Sequence, residues 1–216
     1  MNRAGRERRG YVPDDRPGRR LFVAVPLPPP ARATVQALVD EVRSAADPAI
    51  RDVRWVRLDG LHLTLRFLGP TVEEQVPGVL AAADAAAARH DPFAVELRGA
   101  GAFPSAVRPR ALWLGIDGGS EGLGALAATV DEELARHGWP PSERPYRAHL
   151  TLARADGVRS GPAVAARLMT AAGRFLEHFE AGSVGVFETI SGNGPARYEA
   201  VHEARLGAPV GAPRRV

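Results

Sequence analysis

A five-residue strand pattern, Leu61-His62-Leu63-Thr64-Leu65, constrains this chain most, because residues 148–152 repeat it as Ala148-His149-Leu150-Thr151-Leu152. In an extended strand, alternate side chains point to opposite faces. His62 and Thr64 then share one face, and Leu61, Leu63 and Leu65 share the other. The second copy sorts the same way, with His149 and Thr151 on one side and Leu150 and Leu152 on the other. The chain holds six His and seven Thr in 216 residues, so chance supplies a His-x-Thr roughly 0.2 times. The plain alternative is a pair of amphipathic strands whose His and Thr merely face water. Two such strands facing each other across a cleft instead set two imidazoles opposite one another, as general acid–base chemistry requires.

Around these strands the chain alternates regularly. Leu21 to Val25 read as a buried strand ended by Pro26 and Pro28–Pro30, and residues 31–46 carry Val35, Leu38, Val39 and Val42 at helical spacing, closed by Asp47-Pro48. Val53 to Val56 form a short extended piece before the first motif strand, 61–68, which Gly69-Pro70 stops. Thr71, with Glu74 three residues on, caps a helix running to about Arg89. Then come a strand at 93–97, a Gly/Pro-rich loop at 99–109, a strand at 111–116 and a helix at 120–137. A loop from Trp139 to Arg147 leads into the second motif strand, followed by a helix at 162–172. Residues 175–188 and 197–206 read as two closing strands.

The order repeats strand–helix–strand, and 87 positions separate His62 from His149. The expected fold is α+β: a bilobal, pseudo-symmetric duplication in which two antiparallel sheets line a central cleft and the helices lie outside. A Rossmann fold is disfavoured, since no Gly-x-Gly-x-x-Gly follows the first strand. Residues 1–19 read as a disordered Arg-rich tail, 20–207 as one bilobal domain and 208–216 as a C-terminal tail.

Charge and composition narrow the function. Residues 1–20 carry seven Arg against Glu7, Asp14 and Asp15, so the net charge of +3 belongs to the tail and the remainder is close to neutral. The body is therefore no bulk polyanion binder, and a nucleic-acid contact there needs a local cluster. The Arg-rich arm is either an RNA contact or an inert solvated tail. No cysteine is present, which excludes disulfides and thiolate chemistry. The charged N-terminus and the lack of any long apolar stretch predict a cytoplasmic protein without membrane attachment.

Two near-neutral imidazoles on opposite sides of a phosphorus atom suit in-line displacement, one taking a proton and the other giving one. Thr64 and Thr151 are placed to donate to non-bridging phosphate oxygens. Phe67 and Arg154 each lie five residues past a motif histidine. That odd offset points away from the histidine face unless a bulge or strand end intervenes. Phe67 by itself reads as core and Arg154 as a solvated surface residue. A zinc site lacks a third ligand at characteristic spacing, and Gly-x-Ser-x-Gly is absent. His90 and His137 sit at predicted helix ends, while His178 and His202 lie on late strands without a partnering pattern.

Paired His-x-Thr motifs are the signature of the 2H phosphoesterase superfamily. Within it the chain closely resembles the bacterial and archaeal RNA 2′,3′-cyclic phosphodiesterases, also known as 2′-5′ RNA ligases. The likeness runs from about Arg20 to Leu206. It includes Arg20 to Val25, Arg54-Trp55-Val56, Leu61 to Gly69, Pro109 to Gly115, His149 to Arg154, Phe187 and the segment Gly194 to Tyr198. Two departures are Ala148 where relatives place Pro, and Tyr146 where they place Phe.

The resemblance implies a cleft between two lobes, no metal and no cofactor. It implies opening of an RNA 2′,3′-cyclic phosphate to a 2′-phosphate. Nothing in the sequence itself demands a protein partner, so a monomer is expected. By position, His62 is the general acid and His149 the general base. Thr64, Thr151 and Arg154 hold the phosphate, and Phe67 packs against the terminal base. Near-symmetry leaves the two histidine roles interchangeable on sequence alone. Ligation, the same chemistry reversed, and RNA-end binding without turnover are the competing readings.

Overall fold

The computed structural model describes residues 17–44, 52–192 and 195–208. Most of the predicted N-terminal tail, the Asp47-Pro48 helix stop, Asn193-Gly194 and the last eight residues lie outside the described residues. The elements are β1 (Arg19–Pro26), α1 (Pro29–Arg43), β2 (Arg54–Trp55), β3 (His62–Thr71), α2 (Val76–Ala87), β4 (Phe93–Phe103) and β5 (Ala111–Ile116). They continue with α3 (Ser120–Arg136), β6 (His149–Arg154), α4 (Gly161–Ala171), β7 (Leu176–Ala181), β8 (Ser183–Ile190) and β9 (Arg197–Arg205).

Two antiparallel sheets result, ordered β3-β1-β8-β9 and β2-β6-β5-β4-β7. The expected α+β architecture is present, but the lobes exchange parts. β2, from the first half, pairs with β6 in the second sheet, while β8 and β9, from the second half, complete the first. The helices cross over as well. α3 packs beside α2 and against β3, and α1 packs beside α4 and against β7. Neither half buries its apolar face without the other. Each helix presents one apolar stripe, such as Val35, Leu38, Val39 and Val42 of α1 or Leu123, Leu126, Val130 and Leu134 of α3, all buried.

Several sequence expectations shift. Gly69-Pro70 does not stop β3, which continues to Thr71 opposite Arg19. Pro70 is tolerated because β3 is an edge strand. Thr71 is therefore a strand residue and caps no helix; its hydroxyl donates to the Gly69 carbonyl at 3.2 Å, and α2 begins only at Val76. The predicted loop at 99–109 is strand over its first part: Gly99, at φ 66°, absorbs a bulge and β4 runs on to Phe103, leaving only 104–110 as loop. The single strand expected at 175–188 is two, broken at Gly182, with β7 in one sheet and β8 in the other.

Candidate active site

β3 and β6 approach one another, and the motif threonines Thr64 and Thr151 line one cavity between the two sheets. Their apolar sides are anchored as the alternation predicts, with Leu61, Leu63, Leu65, Leu150 and Leu152 all buried. The odd offset of Phe67 and Arg154 is resolved by two matched bulges. Along β1, Ala24 pairs with Thr64 but Val23 with Arg66, leaving Leu65 as the extra residue. Along β5, Trp113 pairs with Thr151 but Leu112 with Ala153, leaving Leu152 as the extra residue. Each bulge follows the motif threonine by one position and reverses the side-chain parity beyond it. Phe67 thus joins His62 and Thr64 on one face, and Arg154 joins His149 and Thr151 on the other.

A cleft of about 540 Å³ is lined by His62, Thr64, Phe67, Thr151 and Arg154, together with Arg20, Arg54, Trp55, Thr189, Ser191 and Tyr198. Five of the six expected site residues stand on its wall. His149 shares a strand face with Thr151 and Arg154 but does not line this cavity. Phe67 is 67% exposed, which overturns its reading as core and leaves an aromatic face open at the cleft.

Both imidazoles are held alike. His62 Nδ1–H donates to the Gly60 carbonyl at 2.7 Å, and His149 Nδ1–H donates to the Arg147 carbonyl at 2.7 Å. Each bond selects the tautomer whose Nε2 carries the lone pair. Their surroundings differ. His62 lies among the rings of Phe22, Tyr198 and Phe187, with centroids 4.6, 4.8 and 6.1 Å away. His149 meets one ring, Phe103, edge-on at 5.1 Å. Burial holds the His62 imidazole below its ordinary value, partly opposed by the Gly60 carbonyl. Burial also lowers His149, with the Arg147 carbonyl opposing and the positive Arg154 adding to the fall. Burial raises the Tyr198 phenol, and Arg154 pulls it down. One guanidinium from the second sheet therefore acts on a residue of each sheet.

The segment entering β6 is tied to β3. Arg66, just beyond the first bulge, pairs with Asp131 of α3 at 3.1 Å and donates to the Pro140 carbonyl at 2.6 Å. The Ser142 amide donates to the other Asp131 oxygen at 2.8 Å. The motifs gave no sign of this tie. Nor did they reveal the aromatic wall, since the strand register alone brings Phe22 beside Phe67 and Phe187. The late histidines do find partners: His178 lies 3.0 Å from Glu96, and buried His202 lies 2.6 Å from Asp84. Among the described residues no group of three or more His, Cys, Asp or Glu stands together as a metal-binding cluster. No helix among them is long and apolar enough to cross a membrane.

Comparison with known proteins agrees with this geometry. An RNA 2′,3′-cyclic phosphodiesterase of Aeropyrum pernix is 37% identical over 134 residues, covering 62% of this chain and 72% of that one. One from Methanothermobacter thermautotrophicus is 31% identical over 169 residues, covering 78% and 86%. A crystal structure of a Thermus thermophilus protein superposes with TM-score 0.68 at 26% identity, over 87% of this chain and 98% of that one. E. coli LigT complexed with 3′-AMP superposes with TM-score 0.64 at 25% identity, over 88% and 99%. The family model of the 2′-5′ RNA ligase superfamily matches residues 27–192. The chain belongs to that superfamily, among the 2H phosphoesterases.

Proposed function

We propose that this chain is an RNA 2′,3′-cyclic phosphodiesterase, a hydrolase that opens the terminal cyclic phosphate to a 2′-phosphate. The observation that carries the reading is the pair of matched bulges. They give one strand face His, Thr and Phe, and the facing strand His, Thr and Arg.

In the reaction, His149 Nε2 takes a proton from water as the water oxygen bonds to phosphorus. The P–O3′ bond breaks in line, and protonated His62 gives its Nε2 proton to the departing 3′ oxygen. The products are a 3′-hydroxyl and a 2′-phosphate, and proton exchange with solvent resets the pair. Thr64 and Thr151 hydroxyls donate to the non-bridging oxygens, and Arg154 adds charge-assisted bonds as negative charge builds. Phe67 offers its exposed face to the terminal base.

The bound phosphate supplies the negative charge that draws the proton onto His62, against the burial that holds it neutral in the free protein. One chain provides both histidines, which supports a monomer acting on RNA. The exchange of strands between halves supports one catalytic unit over residues 20–207.

The test is a short RNA ending in a 2′,3′-cyclic phosphate, incubated with EDTA and either wild type, His62→Ala or His149→Ala. The reading expects an EDTA-resistant 2′-phosphate product that both substitutions abolish. A 3′-phosphate product would reverse the leaving oxygen and the two roles. Tight binding without turnover by the wild type would make the protein an RNA-end binder instead.

A further inference from the structure

Charge divides sharply at His62. The catalytic cleft carries Arg20, Arg54 and Arg154 on its wall and, among the described residues, no carboxylate. A neighbouring cavity of about 500 Å³ shares His62 and Tyr198 with it but carries Asp59, Glu180 and Glu203 against Arg32. A polyanion entering the site is drawn to the first cavity and turned from the second.

A terminal 2′,3′-cyclic phosphate bears a single negative charge, which Arg154 and the two threonines answer. Arg54 stands directly opposite Arg154 in the β2–β6 pair. Directly opposed residues have Cβ atoms ~4.5–5.5 Å apart on one sheet face, where like charges repel unless an anion joins them. Arg54 makes one ion pair among the described residues, with Asp156 at 3.5 Å, and both side chains are largely open to water. Such a contact is readily exchanged for a phosphate. Arg20 alternates along β1 with Phe22 and Ala24, which register with Phe67 and Thr64. It therefore rises on the same cleft face, and both arginines line the one cavity.

Resting on the phosphodiesterase reading, we propose that Arg54 and Arg20 form a second phosphate subsite for the phosphodiester on the 5′ side of the terminal nucleotide. The substrate is then the end of an oligoribonucleotide rather than a free nucleoside 2′,3′-cyclic phosphate. The upstream strand leaves along the arginine side of the cleft, away from Glu180 and Glu203.

The experiment compares hydrolysis of adenosine 2′,3′-cyclic phosphate, its 5′-phosphorylated form, and a diadenylate ending in a 2′,3′-cyclic phosphate, each at several salt concentrations. In wild type the second phosphate raises kcat/KM about tenfold, chiefly through KM, as one charge-assisted contact does. It also steepens the salt dependence by a slope of about one. In Arg54→Gln and Arg20→Gln the ratio between substrates falls toward one. A ratio taken within one protein cancels any loss of folded material. Should a variant fail to fold, the wild-type ratio and salt slope decide the matter alone. Turnover of all three substrates with equal kcat/KM overturns the subsite and leaves the phosphodiesterase reading standing. A preference that survives both substitutions overturns the assignment to Arg54 and Arg20. Turnover of none overturns the phosphodiesterase reading, and the subsite falls with it.

Discussion

His62 and His149 occupy the same place in two copies of one strand motif, yet the protein builds different walls around them. The backbone treats them identically: an Nδ1–H bond to the carbonyl two residues back, a threonine two residues on, and a bulge after that threonine. Beyond the backbone the symmetry ends. His62 is enclosed by three aromatic rings, whereas His149 has one ring and a neighbouring guanidinium. On the proposed reading, the repeated motif supplies two like-placed proton carriers, and the side chains packed around them divide the labour. An aromatic box admits a proton reluctantly until an anion arrives, which suits a group charged by its own substrate. An imidazole beside a permanent positive charge stays neutral, which suits a base.

The largest expected effect tests that division directly. His62→Ala and His149→Ala should each lower kcat by roughly 10²- to 10⁴-fold, the usual contribution of one positioned acid or base. The two variants part company on a substrate whose 3′ bridging oxygen is replaced by sulfur, because a thiolate departs without a proton. Single-turnover rates should recover in His62→Ala and stay low in His149→Ala. Recovery in His149→Ala instead would exchange the two roles.

How much of this was legible beforehand follows from what each feature depends on. The histidine pair, the threonines and the buried leucines rest on strand periodicity, a local property written in a few adjacent residues. The placement of Phe67 and Arg154 was readable only as a conditional, since parity forbade it without a bulge. No local residue announces the extra Leu65 or Leu152; the bulges emerge from register against β1 and β5. The aromatic box was out of reach for the same reason, because Phe22, Phe187 and Tyr198 come from three strands that meet only when β8 and β9 join the first sheet. The division of 175–188 into two strands was hidden because both pieces are extended and only Gly182 separates them. Only the choice of sheet distinguishes them.

A smaller effect sharpens the electrostatic side of the comparison. Arg154 lowers the affinity of His149 for a proton, so Arg154→Gln should raise the His149 titration midpoint. His62 answers chiefly to burial and should move little. The sign is fixed: removing a nearby positive charge favours the protonated imidazole, and His149 then begins to charge at a higher pH than in wild type. Following the two ring carbon protons by NMR across pH 4–9 separates the sites, which a pH–rate profile alone would merge. Equal shifts at both histidines would mean that Arg154 serves the cleft as a whole. In the same variant kcat/KM should fall roughly 10- to 100-fold, through loss of charge-assisted bonds to the phosphate.

The smallest effect concerns how each motif strand is approached. The turn before β3 is well satisfied: Arg32 donates to the Asp59 carbonyl, and Arg57 pairs with the Asp59 carboxylate at 2.6 Å. The segment before β6 has its Arg66–Asp131 tie, but it also holds Tyr146, whose buried hydroxyl has no hydrogen-bond partner among the described residues. Burial pushes that phenol well above its ordinary value. Phenylalanine, which the family resemblance places here, keeps the ring and removes the stranded oxygen. Tyr146→Phe should therefore stabilise the protein by about 1 kcal/mol, the low end of the cost of an unsatisfied buried polar group. Urea unfolding reads this as a higher midpoint at unchanged slope. Because the ring contacts remain, His149 should titrate as before. A lower midpoint would show that the hydroxyl is bonded after all, and that both approaches are equally well satisfied.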